Sequence, residues 1–364
     1  MKILYSNRTL YPYEGGADIS ASILLEHLSK NHDVSAVYIG KELENSKIKC
    51  YPQNLKKKRG IWINLYFLNK KWFNILSAIV KKEKPDLIIA QDYLIPATIK
   101  VAKKFGIKTI SFLRSYVHIS IDGFMTYLPE DKKPGKTSDF IHKIQYPFYS
   151  RVVKDFEWAL KNTNLIICNS HYLSRVTNDY YKVKSEVLRP FVPVEKYKVE
   201  NKGEYITYIN PDIHKGVKIF EQLAEKMPDK KFLVAGKEGY KLNKPNVEVI
   251  GWIKDMKEVY AKTRLLVVPS IWPDTCPRVC IEVMQSGIPF IVSDRGGLTE
   301  EAEDCGIVVK NIFNTNEWIN AINKFDDKKF YNEMSKNAIK KSSEFESKGQ
   351  LKKFDLLLQD LFKL

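Results

Sequence analysis

The chain has 364 residues, of which 44% are hydrophobic, and a formal net charge of +16. That length exceeds the usual size of a single domain and predicts two domains, each able to bury a substantial core. The charge favours anionic partners, meaning nucleic acid, an anionic membrane or phosphorylated substrates, and does not determine the fold. No apolar run approaches the roughly 20 residues needed to cross a bilayer, so we expect a soluble or peripheral protein.

Five cysteines are spread along the chain, an odd number without the paired spacing of a zinc site. This usage indicates a reducing compartment, and we expect the cytoplasm, with peripheral attachment to the inner face of the cytoplasmic membrane as an option. The apolar stretch within Met1 to Tyr5 is too short for a signal peptide. No acidic pair has the spacing of divalent-cation ligands, so we expect no tightly bound metal and no cofactor.

The N-terminal segment has the pattern of a strand, a glycine turn, a helix and a second strand. Lys2 to Ser6 is the first strand, Gly15 and Gly16 lie in the turn, helical spacing begins at Asp18, and Asp33 to Ile39 is the second strand. Paired glycines let backbone approach a ligand and leave a helix N-terminus directed at an anion, although an ordinary tight turn is an equally good interpretation. The three-glycine dinucleotide fingerprint is absent, so nicotinamide binding is not predicted.

Residues 56–108 are the most basic part of the chain, with thirteen lysines and arginines against three acids. Aromatic residues lie among these cations, which is typical of a surface that docks on an anionic membrane. A helix pair with an apolar face on the core and its lysines in water is an equally good interpretation. The membrane hypothesis assigns contacts to the following residues: Lys56, Lys57, Lys58, Arg59 and Trp62.

The rest of the first half alternates apolar runs with helical patterns, which predicts a parallel sheet. Its further strands are predicted at Leu87 to Ala90, Thr109 to Leu113 and Leu165 to Cys168. Residues 120–137, rich in Asp, Pro, Gly and Lys, are predicted as a long loop suited to an acceptor or a lid. From Arg189 to Gly203 the periodic pattern gives way to prolines and charges, which indicates a domain boundary.

The second half repeats the alternation of strands and helices. Its strands are predicted at Tyr205 to Ile209, Lys231 to Ala235, Val247 to Ile250, Leu265 to Val268 and Ile288 to Val292. Pro277 precedes a helical pattern, and we expect it in the first helical turn, where its missing N–H would be unpaired in any case. The final segment, Leu351 to Phe362, is amphipathic.

Two carboxylates frame the turn after Val268, Asp274 in the loop and Glu282 on the helix. A helix that opens at the carboxyl end of a parallel strand directs free N–H groups into the sheet crevice, which suits phosphate. Gly296 and Gly297 form a second such turn, so both turns are predicted to face one crevice. The two acids alone are a weak signal, because loop caps and solvated helix positions are common.

This part of the chain resembles the donor-site signature of the family 4 retaining glycosyltransferases of GT-B fold. The resemblance lies in the order of the proline-serine pair before the loop, Asp274, Glu282 and the Gly296-Gly297 turn before Glu300. The resemblance is strong over residues 205–309 and loose over 40–160. It implies an α/β architecture of two Rossmann-like parallel-sheet domains that face each other across a cleft, with the C-terminal helix returning to the first. The implied parts are an acceptor domain at 1–192, a nucleotide-sugar donor domain at 193–345 and a returning helix at 346–364.

The resemblance also implies roles in the donor domain. Asp274 corresponds to the acid that contacts hydroxyls of the donor sugar, and Glu282 to the acid that holds the ribose. Lys215 corresponds to a lysine that binds the diphosphate, whereas Asn210 stands where many members have a second cation, an arginine. The chain departs from the family with aspartate in place of glutamate at Asp274 and proline in place of glycine at Pro277.

In the first domain, Arg114 stands where the family commonly has a histidine near the reacting sugar, and His118 follows four residues later. The candidate catalytic residues are therefore Asp274, Glu282, Lys215, Arg114 and His118. The family also implies a nucleobase contact at the Gly251-Trp252 turn. The donor-binding candidates are Gly15, Gly16, Asn210, Gly251, Trp252, Arg278, Val279, Gly296 and Gly297.

The resemblance predicts a retaining transfer of a hexose-type sugar from a nucleotide-diphosphate sugar to a glycan or lipid-linked acceptor, in synthesis of cell-surface polysaccharide or glycoconjugate. Departures at Arg114, Asn210 and Pro277 support one alternative, an inactive GT-B-like binding protein with a basic face for nucleic acid or membrane. A second alternative is a nucleotide-sugar epimerase of the same fold. No nucleic-acid module signature is present, so nucleic acid is not an expected partner, whereas an anionic membrane surface is a candidate.

Overall fold

The computed structural model describes residues 1–13, 15–43, 46–55, 61–115 and 136–363, without the side chains of 61, 62 and 136–145. The chain divides into two compact units. The first comprises Met1–Phe191 and Leu351–Leu364, and the second comprises Val192–Gln350. Each unit is built on its own parallel sheet.

The sheet of the first unit has seven parallel strands, which are β1 (Lys2–Ser6), β2 (Asp33–Ile39), β3 (Lys49–Gln53), β4 (Leu87–Gln91), β5 (Lys108–Leu113), β6 (Leu165–Cys168) and β7 (Glu186–Val187). Their order is β3-β2-β1-β4-β5-β6-β7. Helices cover both faces, so the central strands are buried and lack polar alternation. The strands predicted in this half are confirmed, whereas β3 and β7, which lie at the two edges, were not predicted.

The helices that the structure describes between Met1 and Phe191 of this unit are α1 (Gly16–Leu28), α2 (Ile61–Glu83), α3 (Ile95–Phe105), α4 (Lys136–Lys161) and α5 (His171–Tyr181). One apolar cluster joins α2 and α3 to the sheet through buried residues that include Trp72, Leu76 and Ile88. The indole N–H of Trp72 also donates a 2.9 Å hydrogen bond to the hydroxyl of Ser6. Helix α2 also packs on α4, so the two helices together form one outer surface of the unit.

The sheet of the second unit has six parallel strands, which are β8 (Tyr205–Ile209), β9 (Phe232–Ala235), β10 (Val247–Val249), β11 (Thr263–Val268), β12 (Phe290–Ser293) and β13 (Gly306–Val309). Their order is β10-β9-β8-β11-β12-β13, so the direction of winding reverses between β8 and β11. The helices are α6 (Val217–Lys226), α7 (Lys257–Lys262), α8 (Arg278–Met284), α9 (Leu298–Ala302), α10 (Thr315–Lys324) and α11 (Lys328–Ser342). Ligands of open α/β sheets bind at the carboxyl ends of strands beside such a reversal.

The last helix, α12 (Ser347–Phe362), belongs to the first unit from Leu351 onward. Its Phe354 is fully buried and stacks on Phe112 with ring centroids 5.9 Å apart. Asp355 lies 2.9 Å from His27 Nε2. These contacts confirm the predicted return of the C-terminal helix to the first domain.

The prediction for Pro277 was wrong by one position. Helix α8 begins at Arg278, and Pro277 precedes it with φ −74° and ψ 110° in an extended conformation. The carbonyl of Pro277 accepts a 3.2 Å hydrogen bond from the N–H of Cys280. Pro277 is therefore the residue that caps the helix, because a cap accepts the first intrahelical hydrogen bond while its own backbone stays extended.

Candidate functional site

The predicted residues of the second unit gather where its sheet changes direction. Lys215 ends the short 3-10 helix Ile213–Lys215 after β8, and Asp274 lies in the loop after β11. The two strands are neighbours in the sheet, so their following loops meet. The N–H groups of Ile271 and Trp272 in the second loop both donate to the carbonyl of His214 in the first, at 3.0 and 3.1 Å.

The carboxylate of Asp274 is held from two sides. The Lys215 ammonium forms an ion pair with its Oδ1, and the Ser270 hydroxyl donates a 2.5 Å hydrogen bond to its Oδ2. The Asp274 side chain is 13% exposed and that of Lys215 is 40% exposed. The arrangement therefore presents a solvent-accessible cation beside a fixed carboxylate, which can bind an anionic group and accept a hydrogen bond from a hydroxyl.

The glycine turn predicted at Gly296 and Gly297 packs directly on this loop. The N–H of Gly297 donates a 2.6 Å hydrogen bond to the carbonyl of Asp274. Gly296 has φ +66°, and a Cβ there would lie 2.3 Å from the same carbonyl oxygen. Only glycine fits this close approach and this left-handed backbone. The two strand-to-helix turns predicted to share one crevice are therefore in contact.

Glu282 is buried on α8 and has a hydrogen-bond donor at each carboxylate oxygen. Arg278 Nε donates to Oε1 at 3.1 Å, and the Tyr260 hydroxyl donates to Oε2 at 2.5 Å. Burial, together with the charge of Glu282, raises the pKa of Tyr260 well above its usual range, so the phenol remains protonated and can donate. Arg278 Nη2 also donates to the hydroxyl of Tyr197 at 3.2 Å. The interpretation of Glu282 as a solvated helix position is excluded by its burial.

Three further predicted donor residues lie at strand ends of the same sheet. Asn210 follows β8 with φ +59°, and its N–H donates to the carbonyl of Ala235 at 2.8 Å. The carbonyl of Gly251 accepts a 3.0 Å hydrogen bond from the N–H of Gly236. Trp252 is 67% exposed, so its indole face is accessible for stacking. Val279 instead packs on the apolar core of the unit and offers a ligand little more than its backbone.

In the first unit, Gly15 and Gly16 lie at the start of α1. Gly15 caps the helix with an extended backbone, and its carbonyl accepts from the N–H groups of Asp18 and Ile19 at 3.1 and 3.4 Å. The glycine turn predicted after β1 therefore leads into a helix as expected.

Arg114 follows β5 and extends toward α1. Its Nη1 donates a 2.7 Å hydrogen bond to the hydroxyl of Ser20, and its guanidinium lies 5.0 Å from the ring centre of Phe112. Its backbone N–H donates at 2.9 Å to Asp92, a buried carboxylate directly after β4. Burial raises the pKa of Asp92 to about 6, against the hydrogen bond and charge of Arg114. Burial likewise raises the pKa of Asp18, which accepts from Thr9.

Sequence reasoning missed Ser20, Asp92 and Tyr260. Asp92 carried a usable signal, since an acid directly after a buried strand lies at the carboxyl edge of the sheet. The sequence gives no signal for Tyr260, because it is 22 residues from Glu282 and their contact depends on how the chain folds between them. His118, Lys56, Lys57, Lys58 and Arg59, together with the side chain of Trp62 and most of the predicted loop at 120–137, lie outside the described residues.

Comparison with protein families decides the identity of the chain. Residues 14–196 match the model described as Glycosyltransferase Family 4, and residues 210–326 match the model described as Glycosyl transferases group 1. The chain belongs to glycosyltransferase family 4. The first model alone spans more than half of the chain, and the second contains the loops of Lys215, Asp274 and Glu282.

Relatives of this glycosyltransferase include an uncharacterised 42.6 kDa protein in the cps region of Klebsiella pneumoniae, 25% identical over 82% of this chain and 87% of the relative. Among solved structures, sucrose-phosphate synthase from Thermosynechococcus elongatus aligns with 100% of this chain and 99% of its own at 16% identity and TM-score 0.78. HepE of Anabaena in complex with UDP aligns with 99% and 100% at 15% identity and TM-score 0.72. The glycosyltransferase WaaG, involved in lipopolysaccharide biosynthesis, aligns with 96% and 98% at 15% identity and TM-score 0.71. These likenesses confirm the predicted GT-B fold.

Among the residues of this glycosyltransferase that the structure describes, no group of three or more His, Cys, Asp or Glu side chains has an arrangement suited to a metal ion. Within the same ranges, no helix combines the length and apolar character needed to span a membrane.

Proposed function

We propose that this glycosyltransferase moves a hexose-type sugar, with retention at the anomeric carbon, from a nucleotide-diphosphate sugar to a glycan or lipid-linked acceptor. The observation that carries the proposal is the hydrogen-bonded cluster of Lys215, Asp274 and the Gly296-Gly297 turn, at the change of direction of the second sheet. Such a position is where open α/β sheets bind nucleotides.

Within the cluster, each side chain has a proposed task. Lys215 binds the diphosphate and stabilises the charge that develops on it as the sugar leaves. Asp274, which Lys215 and Ser270 hold in place, accepts hydrogen bonds from the sugar hydroxyls. Glu282 accepts from the ribose hydroxyls, and it has the capacity because a carboxylate offers about four acceptor positions and two are filled by Tyr260 and Arg278.

Retention is proposed to proceed on one face of the sugar. The bond between the anomeric carbon and the diphosphate oxygen breaks, the acceptor oxygen bonds to the same carbon, and the acceptor proton passes to the leaving phosphate. No protein nucleophile takes part. The protein contributes orientation and electrostatic stabilisation, which are the main sources of catalysis when a leaving group departs with negative charge. No tightly bound metal is proposed, so a chelator is expected to leave transfer unchanged.

The substrate assignment is supported by relatives. HepE of Anabaena has been solved with UDP, with UDP and glucose, and with UDP-glucose. The first donor to test is therefore a UDP-hexose. The Klebsiella relative comes from a cps region, and WaaG is involved in lipopolysaccharide biosynthesis. We therefore propose an acceptor in cell-surface polysaccharide or glycoconjugate synthesis, used in the cytoplasm.

The first test is a thermal-shift panel of UDP, GDP, ADP and their common sugar conjugates, because a ligand that binds the native state raises the melting temperature. We expect one base to raise it, and Glu282→Ala to abolish the shift while the variant stays folded. Absence of a shift with every nucleotide contradicts the proposed donor site. The anomeric configuration of the product, read by proton NMR, then tests retention. Consumption of the donor without any acceptor would indicate an epimerase instead.

A further inference from the structure

A group of aromatic side chains lies on the outer surface that α2 and α4 share in the first unit. The rings of Tyr66 and Phe67 on α2 lie 5.7 and 6.2 Å from that of Phe148 on α4. Phe67 is 54% exposed, and Tyr146, two residues before Phe148, is 64% exposed. We call these four residues the aromatic patch. Large exposed aromatic residues that cluster on a protein surface indicate a binding surface more often than isolated ones do.

The charge around the aromatic patch is positive. Lys70 lies 4.6 Å from the ring centre of Tyr66, and Lys71 beside it is also exposed. Helix α2 contains a single acid, Glu83, and Lys49 neutralises it at 2.9 Å. On α4, Arg151 is 64% exposed one turn after Phe148, and its Nε lies 3.7 Å from Asp155 Oδ1.

The two acids of α4 whose side chains the structure describes do not offset the charge of these lysines, because each has a cationic partner. Asp155 accepts from Lys100 at 2.8 Å, and Glu157 pairs with Lys161 at 2.6 Å. The exposed lysines Lys70 and Lys71 therefore leave the surface beside the aromatic patch with a net positive charge.

We propose that the aromatic patch and its lysines dock the protein on an anionic lipid bilayer. Aromatic rings are stabilised at the boundary between headgroups and acyl chains, and each lysine near an anionic surface adds attraction. The inference rests on this surface alone and is independent of the proposed sugar transfer.

Two other occupants fit the surface less well. A second copy of the chain would bring two positive faces together, which like-charge repulsion opposes. Single-stranded nucleic acid needs open aromatic faces for stacking, whereas the face of Tyr66 is covered by Lys70 and its edge packs on Phe67 at an interplanar angle of 74°. Both remain measurable outcomes of the experiment.

The test is flotation of the full chain with vesicles of phosphatidylcholine alone and of phosphatidylcholine mixed with phosphatidylglycerol, at low and high salt. We expect binding only to the anionic vesicles, and weaker binding as salt screens the lysines. Phe67→Ser is expected to weaken binding roughly tenfold, and Lys70→Gln with Lys71→Gln by about fivefold per lysine.

Matched control variants come from the second unit. Ile339→Ser removes an apolar side chain that is 47% exposed, and Lys328→Gln with Lys329→Gln removes an adjacent exposed lysine pair. Both controls are expected to bind vesicles as the wild type does. All variants should keep the nucleotide-induced thermal shift, so failure of membrane docking and failure of the donor site are measured separately.

Three results would overturn the proposal. The first is equal vesicle binding by Phe67→Ser and the wild type, including the case in which only neutralising Lys56, Lys57, Lys58 and Arg59 abolishes it. The second is a wild-type dimer in solution that Phe67→Ser converts to a monomer without an effect on vesicles. The third is binding of a single-stranded oligonucleotide that depends on Phe67 while vesicles do not bind.

Discussion

The hydroxyl of Tyr260 donates a 2.5 Å hydrogen bond to the carboxylate of Glu282, and both side chains are buried. Arg278 approaches the other carboxylate oxygen at 3.1 Å, so the acid is oriented from two directions. A ribose-binding carboxylate needs such support, because a side chain that is free to rotate binds a hydroxyl pair weakly. Tyr260 is accordingly expected to contribute to nucleotide binding without touching the nucleotide.

Tyr260→Phe is predicted to lower the free energy of unfolding by about 1–3 kcal/mol, because a buried carboxylate loses a donor. Nucleotide affinity should fall with it, since Glu282 is then held by Arg278 alone. Urea denaturation and calorimetric titration with the nucleotide that gives the largest thermal shift measure the two effects. Tyr331→Phe is the control, since Tyr331 donates to the Arg264 carbonyl at 2.9 Å away from the loops of the site. It should lose stability and keep affinity, and equal affinity losses in both variants would refute a specific role for Tyr260.

Lys215→Ala is predicted to weaken the binding of a nucleoside diphosphate more than that of the corresponding monophosphate. The ammonium pairs with Asp274 and is 40% exposed, so it can also reach a phosphate. We expect affinity for the nucleoside diphosphate to fall roughly tenfold, the usual size of a lost charge-assisted hydrogen bond, with little change for the monophosphate. Glu282→Gln should weaken both ligands equally, because its proposed contact is the ribose.

The control for Lys215 is Lys218→Ala, which removes an exposed lysine paired at 2.7 Å with Glu221. Its affinities for both ligands should match the wild type. If Lys215→Ala weakens the monophosphate as much as the diphosphate, Lys215 does not act through the second phosphate.

Gly296→Ala is predicted to disrupt the loop that carries Asp274. The new Cβ would lie 2.3 Å from the Asp274 carbonyl oxygen in addition to a φ of +66°. Gly239→Ala is a matched control, since its φ is +73° and no atom lies within 4 Å of the new Cβ. The control should lose about 1–2 kcal/mol from backbone strain alone and keep nucleotide binding. Gly296→Ala should lose more stability and also nucleotide affinity, and equal melting temperatures of the two variants would contradict the close packing.

The strands at Leu165–Cys168 and Tyr205–Ile209 were predicted to the residue because they are short, buried and bounded by turns. The edge strand Lys49–Gln53 was missed, since it contains a lysine and a proline and is only half buried, so no apolar run marks it. The order of Asp274, Glu282 and the Gly296-Gly297 turn could be read from sequence because the loops after neighbouring strands follow one another along the chain.

The supporting contacts could not be predicted in the same way. Tyr260 on α7 reaches Glu282 on α8 across 22 residues of sequence, and Ser20 reaches Arg114 across 94 residues. Such contacts depend on the packing of helices and leave no periodic signal in the chain.

Asp92 makes stability depend on pH. Its pKa is raised by burial to about 6 in the folded state, whereas an unfolded aspartate has a pKa of about 3.9. Between these values the folded state binds more protons than the unfolded state, so the free energy of unfolding falls as pH rises from about 4 to about 6 and then levels off. The ionised carboxylate thus lowers the free energy of unfolding by roughly 2–3 kcal/mol at neutral pH.

Asp92→Asn is therefore predicted to raise the free energy of unfolding at pH 7.5 by about 1–3 kcal/mol and to change it little at pH 4.5. In the wild type the Arg114 N–H donates to Asp92 Oδ1 at 2.9 Å, and the amide oxygen of asparagine can accept the same hydrogen bond. Urea denaturation at the two pH values measures the difference, and Asp229→Asn, at an exposed acid, should change neither. If Asp92→Asn instead lowers the free energy of unfolding at pH 7.5, the charge of Asp92 is needed to hold Arg114. The ionised carboxylate would then stabilise the folded state and not destabilise it.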